Sequence, residues 1–298
     1  MLKGRIIKGI AGFYYVKSGE TVYRCKARGI FKERGIKPAV GDLVEVEVIE
    51  GNDDSLITEI LPRKNCFVRP FIANVDCFVI VAAVARPAPI LPVIDRFLVM
   101  AEKADTDVIF CINKCDLASE NGSRGQKKAA ETRDELLQIY SPIYPAVCLQ
   151  KDSEEGLDTL TGLIKGKTVA LAGASGVGKS TILNRLIPHA WMETGQISEK
   201  SQRGKHTTRH SELSALDASS ETMIFDTPGF TSFDILEAEE DELQHLYPDI
   251  ARYIGKCRYD NCRHMAEPDC KVKEAVENGL IHPKRYESYK QLMEEIRK

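Results

Sequence analysis

Residues 168–187, TVALAGASGVGKSTILNRLI, decide how the rest of the chain is read. An apolar run of strand type passes through Gly173-x-x-x-x-Gly178-Lys179-Ser180 into a helical pattern, the strand–loop–helix context that a phosphate-binding loop requires. Backbone N–H groups of Gly173, Ala174, Ser175, Gly176, Val177 and Gly178, together with the helix N-terminus, are expected to cradle phosphate oxygens. Lys179 is expected to neutralise the β- and γ-phosphates and to count as catalytic, with Thr181 at the nucleotide and the Ser180 hydroxyl on Mg2+. Glycines suit the loop because side chains would keep its backbone from closing on the phosphate.

Two further elements belong with this loop. Downstream, IFDTPG at 224–229 ends an apolar strand at Asp226, whose carboxylate can hold the magnesium shell, while Gly229 offers its N–H to the γ-phosphate. Between them, QRGKHTTRH at 202–210 is polar and lacks periodicity, and Thr207 or Thr208 is the candidate to close over Mg2+ when the γ-phosphate is present. Upstream, CINKCD at 111–116 carries Asn113-Lys114-x-Asp116, the spacing used to hold guanine: Asp116 would accept from N1–H and the 2-amino group, donors adenine lacks. Asn113 and the aliphatic stem of Lys114 would complete that pocket.

The guanine tetrad thus precedes the phosphate loop, a cyclic permutation of the usual order. Termini of compact α/β domains often lie close together, so joining the old ends and opening the chain elsewhere preserves the sheet. Residues 75–235 alternate apolar strands with helical patterns at 93–104, 127–140 and 179–187, which implies a mainly parallel sheet covered on both faces.

Before this region, Val44, Val46 and Val48 alternate with Glu45 and Glu47, and GFYYVKSGETVYRCKARG breaks at Ser18-Gly19 like a hairpin. Residues 1–63 therefore read as an OB-type β-barrel, with LPRKN at its boundary. Residues 1–37 hold ten Lys/Arg against two Glu, which makes them either an RNA-facing patch or a solvated basic surface. Net charge over all 298 residues is −3, so no global charge points to nucleic acid. The longest apolar run, Cys77 to Ala85, is far short of the roughly 20 residues that span a bilayer. No secretory pattern opens the chain, and a cytoplasmic protein is expected.

After residue 236 the sequence is helical and polar around Cys257-x4-Cys262-x-His264-x5-Cys270. Those four residues form the Cys3His set of a closed, structural Zn2+ site, whose rival, a redox disulfide, is disfavoured in the cytoplasm. His282 is expected to cap or pack. Lys284, Arg285, Lys290, Arg297 and Lys298, interleaved with Glu287, Glu294 and Glu295, read as a solvated helix face rather than an RNA contact.

PRKN with RPFIANVD, then NKCD, GASGVGKST, RGKHTT, DTPGF, the cysteine cluster and RYESY together resemble the circularly permuted, ribosome small subunit-dependent GTPases, over essentially the whole chain. The resemblance implies three domains: an OB-type barrel at 1–63, a circularly permuted P-loop GTPase domain at 64–235, and a mainly helical zinc domain at 236–298. It also implies GTP hydrolysis in late maturation of the 30S subunit, contact with 16S rRNA, GTP and GDP as ligands, and a monomer. One departure stands out: Cys148-Leu149 occupies the place of the Ser-Ala dipeptide that touches guanine in the family, so no residue is assigned there.

The glutamine that orients water in Ras-like enzymes is replaced by Phe230, which can neither donate nor accept. A low intrinsic rate is expected. By resemblance His206 is either a catalytic candidate or a loop-stabilising residue, and the 30S subunit is the stimulating partner. The competing readings are a P-loop small-molecule kinase, for which NKCD has no purpose, and a nucleotide-gated RNA-binding protein with little turnover.

Overall fold

The computed structural model describes residues 1–49, 51–187, 211–216, 221–226 and 238–298. Two compact units are present: Met1–Cys77 with Ile164–Ala170 and Ser180–Phe230, and Phe78–Leu163 with Leu171–Lys179 and Thr231–Lys298. His206, Thr207, Thr208, Gly229 and Phe230 lie outside the described residues.

In the first unit, β1 (Leu2–Ile10), β2 (Phe13–Ser18), β3 (Thr21–Ala27), β4 (Leu43–Glu47) and β5 (Ser55–Ile60) pair in the order β1-β2-β3-β5-β4, and β4 returns to β1. This closed five-stranded arrangement is the expected OB-like barrel, and closure leaves its strands without open edges. Side-chain alternation explains it: Ile6, Val16, Cys25, Val44, Val46 and Ile57 are all 0% exposed, while Glu45 and Glu47 face away from the interior. A short helix, α1 (Gly29–Glu33), adds the buried Phe31. Gly4 is required where β1 crosses β2, because a Cβ there would lie 2.6 Å from Val16 Cγ1 and 2.7 Å from the Lys17 carbonyl oxygen.

The PRKN stretch is a clasp. The Arg63 guanidinium donates to both oxygens of the fully buried Asp42 at 2.7 and 2.8 Å, and to the Lys37 carbonyl at 2.7 Å. Asn65 exchanges two hydrogen bonds with the Val75 backbone, and Asn74 accepts from Lys64 N–H and donates to the Gly41 carbonyl. These bonds bracket a small hairpin, β6 (Cys66–Val68) and β7 (Phe71–Ala73). A bidentate, charge-assisted pair of this kind fixes the path of the chain leaving the barrel.

The same unit contains β12 (Glu212–Ala215), β13 (Met223–Asp226) and the start of β11 (Thr168–Ala172). β11 and β13 are parallel, but β12 runs antiparallel to β13, and its Glu212 sits opposite Lys8 of β1 with an ion pair at 2.9 Å. That antiparallel strand departs from a purely strand–helix alternation: its four residues are too few to show a periodicity.

In the second unit β8 (Cys77–Ala83), β9 (Asp107–Asn113) and β10 (Ala146–Cys148) lie side by side, with β9 and β10 parallel. All seven residues of β8 are buried, as expected of a strand covered on both faces. Around these strands lie α2 (Leu91–Lys103), α3 (Arg124–Tyr140) and α4 (Glu155–Ile164). α3 begins three residues before the expected 127 because Ser123 and Gln126 form a reciprocal capping box. The C-terminal part, α6 (Pro248–Ala251), α7 (Lys271–Glu277) and α8 (Pro283–Ile296), follows α5 (Lys179–Leu186) in chain order. His282 caps α8, its Nδ1 accepting from Lys284 N–H at 3.2 Å. Among the described residues no helix is long and apolar enough to cross a membrane.

Arg285 corrects the solvated-face reading of α8. It is 1% exposed, ion-paired with the 0% exposed Asp95 of α2, and lies over the rings of Tyr247 and Tyr140 at 4.1 and 5.6 Å. Asp95 also accepts from the Tyr140 hydroxyl at 2.8 Å, and Asp249 lies 3.6 Å from Arg285 Nη2. Burial pushes the Asp95 carboxyl up, but a guanidinium does not give up its proton, so Asp95 is the ionised partner of a buried pair.

Candidate nucleotide site and metal centre

The phosphate loop leaves the fully buried β11 and enters α5 at Lys179. Two of its glycines are needed for packing as well as for phosphate approach. Gly173 has φ 143°, and a Cβ there would come within 2.2 Å of the Val81 carbonyl oxygen on β8. Gly178 has φ 103°, and a Cβ would meet Asn113 Nδ2 at 2.2 Å. In the second unit, therefore, the loop backbone fits directly against β8 and the tetrad.

That contact gives Asn113 and Lys114 roles beyond the expected guanine pocket. Asn113 Nδ2 donates to the Val177 carbonyl at 2.8 Å, and Lys114 Nζ donates to the Gly176 carbonyl at 2.8 Å and to the Arg86 carbonyl. Lys114 takes left-handed backbone angles, φ 61°, which turn the chain out of β9 into the single helical turn Cys115–Leu117. Asp116 is exposed, and its Oδ1 accepts from Lys151 N–H at 3.2 Å. Leu149 N–H donates to the Ile112 carbonyl and Cys115 N–H to the Leu149 carbonyl, so residues 149–151 flank the tetrad. The resemblance places the family's guanine-touching dipeptide in this segment at Cys148-Leu149, but all three contacts use its backbone, which carries no residue signature.

Lys179 Nζ donates to the Gly173 and Ala174 carbonyls at 2.7 and 2.9 Å. Burial pulls its pKa down to about 8. Phosphate oxygens would favour the charged form and raise that value, so binding is tightest below pH 8 and weakens as free Lys179 loses its proton above it. The dissociation constant for GDP is expected to rise about fourfold between pH 7.0 and 8.5. Titration with a fluorescent GDP analogue checks this, and a constant value would contradict it. In the first unit Ser180 and Thr181 are exposed at the start of α5, and the half-buried Asp226 closes β13. A hydroxyl and a carboxylate are the hard oxygen donors that Mg2+ takes.

Cys257, Cys262, His264 and Cys270 converge so that their four ligand atoms lie within 4.8 Å of one another. His264 Nδ1 is 3.6, 3.5 and 3.4 Å from the sulfurs of Cys257, Cys262 and Cys270, and the Cys257 and Cys270 sulfurs are 4.0 Å apart. Around a tetrahedral ion with bonds of about 2.3 Å to sulfur and about 2.05 Å to nitrogen, the S···N separation is about 3.6 Å and the S···S separation about 3.8 Å. The cluster fits a metal ion closely. The one-residue gap between Cys262 and His264 works because His264 adopts φ 62°, which folds its ring back toward the preceding thiol. Glu267 supports this knuckle by accepting from Arg263 and Met265 N–H at 2.8 and 2.7 Å. Tyr286 and Tyr289 of α8 donate to the carbonyls of His264 and Arg263.

On the barrel, much of the basic excess is neutralised. Lys3, Lys8, Arg24, Lys26 and Arg28 are ion-paired with Glu45, Glu212, Asp54, Asp54 and Glu47. Among the described residues Lys32, Arg34 and Lys37 are exposed and carry no ion pair. They lie on and just after α1.

Residues 60–236 match the family model of the RsgA GTPase, and residues 3–57 match that of the RsgA N-terminal domain. The chain is 43% identical over 300 residues to the small ribosomal subunit biogenesis GTPase RsgA of Alkaliphilus metalliredigens, covering 100% of this chain and 99% of that one. To the protein of the same name from Carboxydothermus hydrogenoformans it is 42% identical over 296 residues, covering 99% and 98%. Among solved structures, YloQ, described as a circularly permuted GTPase, superposes with TM-score 0.80 at 33% identity, over 100% of this chain and 95% of that one. YjeQ from Thermotoga maritima superposes with TM-score 0.83 at 33% identity, over 99% and 98%.

Proposed function

The chain belongs to the RsgA GTPase family, and from this premise we propose that it binds the small ribosomal subunit in its GTP state, serves late in that subunit's maturation, and leaves after hydrolysis. The observation that carries the reading is the brace from Asn113 and Lys114 to the carbonyls of Val177 and Gly176: a guanine-type tetrad bonded to the phosphate loop that follows it in sequence. A small-molecule kinase has no need of that tetrad.

In this reading the backbone of Gly173–Gly178 and the Lys179 ammonium hold the phosphates, and Asp116 selects guanine. Mg2+, when bound, neutralises charge on the β- and γ-phosphates, with Ser180, Asp226 and Thr207 or Thr208 as its protein ligands. Gly229 binds the γ-phosphate, and His206, the candidate that the family resemblance offers, orients water in place of a glutamine. The Cys3His cluster holds one structural Zn2+, which four protein ligands close against catalysis. The divisions 1–63, 64–235 and 236–298 serve as RNA-binding barrel, GTPase and zinc domains, a scheme that the matches at 3–57 and 60–236 support. Lys32, Arg34 and Lys37 are the barrel's phosphate contacts with 16S rRNA. The protein works as a cytoplasmic monomer.

Sedimentation with purified small subunits tests the partner. Co-sedimentation is expected with a non-hydrolysable GTP analogue and loss of it with GDP; equal binding in both states would reject the cycle.

A further inference from the structure

Three thiols gather under the tetrad loop. Cys111 is buried within β9, Cys115 stands between Lys114 and Asp116 at 4% exposure, and Cys148 closes β10 half-buried. Cys148 is in register with Ile112, and Cys115 N–H donates to the carbonyl of Leu149, the next residue along from Cys148. The Cys115 thiol donates to the Ile112 carbonyl at 3.3 Å, so both thiols lie against the same residue of β9. Arg133 and Asp134 of α3 are the charged groups that face them.

We propose that Cys115 and Cys148 are a reversible disulfide pair through which thiol oxidation weakens guanine-nucleotide binding. The proposal rests on the guanine reading of the tetrad. Cys148 is the attacking sulfur: it is half-buried where Cys115 is 4% exposed, and the Arg133 cation of α3 faces it. With hydrogen peroxide as oxidant, the Cys148 thiolate forms an S–O bond as the O–O bond breaks, and the departing hydroxide takes a proton to become water. The Cys115 sulfur then displaces the hydroxyl of the Cys148 sulfenic acid, whose oxygen leaves with the Cys115 proton as a second water. Two thiols lose two electrons to one peroxide, and an added dithiol returns them.

The link would matter because an S–S bond is about 2.05 Å long, well inside the contact distance of two thiols. Closing it draws Cys115 toward β10. Its neighbours Lys114 and Asp116, and Asn113 with its hold on the phosphate loop, must move with it.

The test uses the full-length, metal-loaded protein, reduced and then treated with stoichiometric hydrogen peroxide. Alkylation and peptide mass spectrometry read the bond, and a fluorescent GDP analogue reads affinity. A linked Cys115–Cys148 peptide is expected, with the dissociation constant raised about tenfold or more and restored by dithiothreitol. Cys115→Ser and Cys148→Ser proteins should keep their affinity after peroxide. Both thiols remaining alkylatable, a linked peptide with unchanged affinity, or equal loss in the serine variants would each overturn the proposal. If the reduced protein fails to bind the analogue at all, the guanine reading falls, and the mass-spectrometric result then stands apart from it.

Discussion

Asp116→Asn is expected to lower GTP affinity by about two orders of magnitude while creating affinity for xanthosine triphosphate. The carboxylate would accept two hydrogen bonds from guanine, and charge-assisted bonds of this type contribute about 1.5–3 kcal/mol each. Asparagine turns one acceptor into a donor that faces the 2-amino group, so one bond is lost and one donor is left opposed. Xanthine carries a carbonyl at that position and restores the match. The local fold should survive, because the asparagine oxygen can still accept from Lys151 N–H as Asp116 Oδ1 does. Competition binding with GTP, ATP and xanthosine triphosphate reads the result directly. Unchanged GTP affinity would mean that guanine is read elsewhere.

The second large effect concerns stability. Arg285→Met removes the cation beside Asp95 and leaves a carboxyl buried against Tyr140 and Tyr247 without its partner. Breaking a buried pair this way costs about 3–5 kcal/mol, much of it the penalty of the stranded charge. Replacing both partners, as Asp95→Leu with Arg285→Met, should recover a large part of that loss, since an apolar pair leaves no charge to desolvate. The effect is expected in α8 and its neighbours, where Tyr289, Leu292 and Met293 share one buried cluster with Val99 of α2 and with Cys262 and Cys270. Denaturant unfolding of the single and double variants measures the coupling. A single variant within about 0.5 kcal/mol of the parent would refute the role assigned to this pair.

What was legible in the sequence follows a physical line. Val44 and Val46 announced a barrel strand through period-two alternation, β8 through an unbroken apolar run, and the phosphate loop through glycines between strand and helix. The Ser123–Gln126 capping box was also readable, though apolar periodicity alone placed the start of α3 later. Arg285 was not legible: a basic residue among glutamates on a helix matches a solvated face, and only the tertiary position of Asp95 reverses that. For the same reason the basic excess of residues 1–37 overstated the cationic surface, because Glu45, Glu47, Asp54 and Glu212 approach it from later in the chain. The tetrad's spacing was plain, but its bonds to Gly176 and Val177 depend on backbone carbonyls, which carry no residue signature. Nor could spacing show that His264 reaches its sulfurs through a left-handed backbone.

The most direct test of the account is multiple-turnover hydrolysis of GTP and ATP by the purified protein, alone and with purified small or large ribosomal subunits. Slow GTP turnover that rises manyfold with small subunits only, and no comparable ATP turnover, is the predicted result. Equal use of ATP, or a GTP rate indifferent to the small subunit, would contradict it.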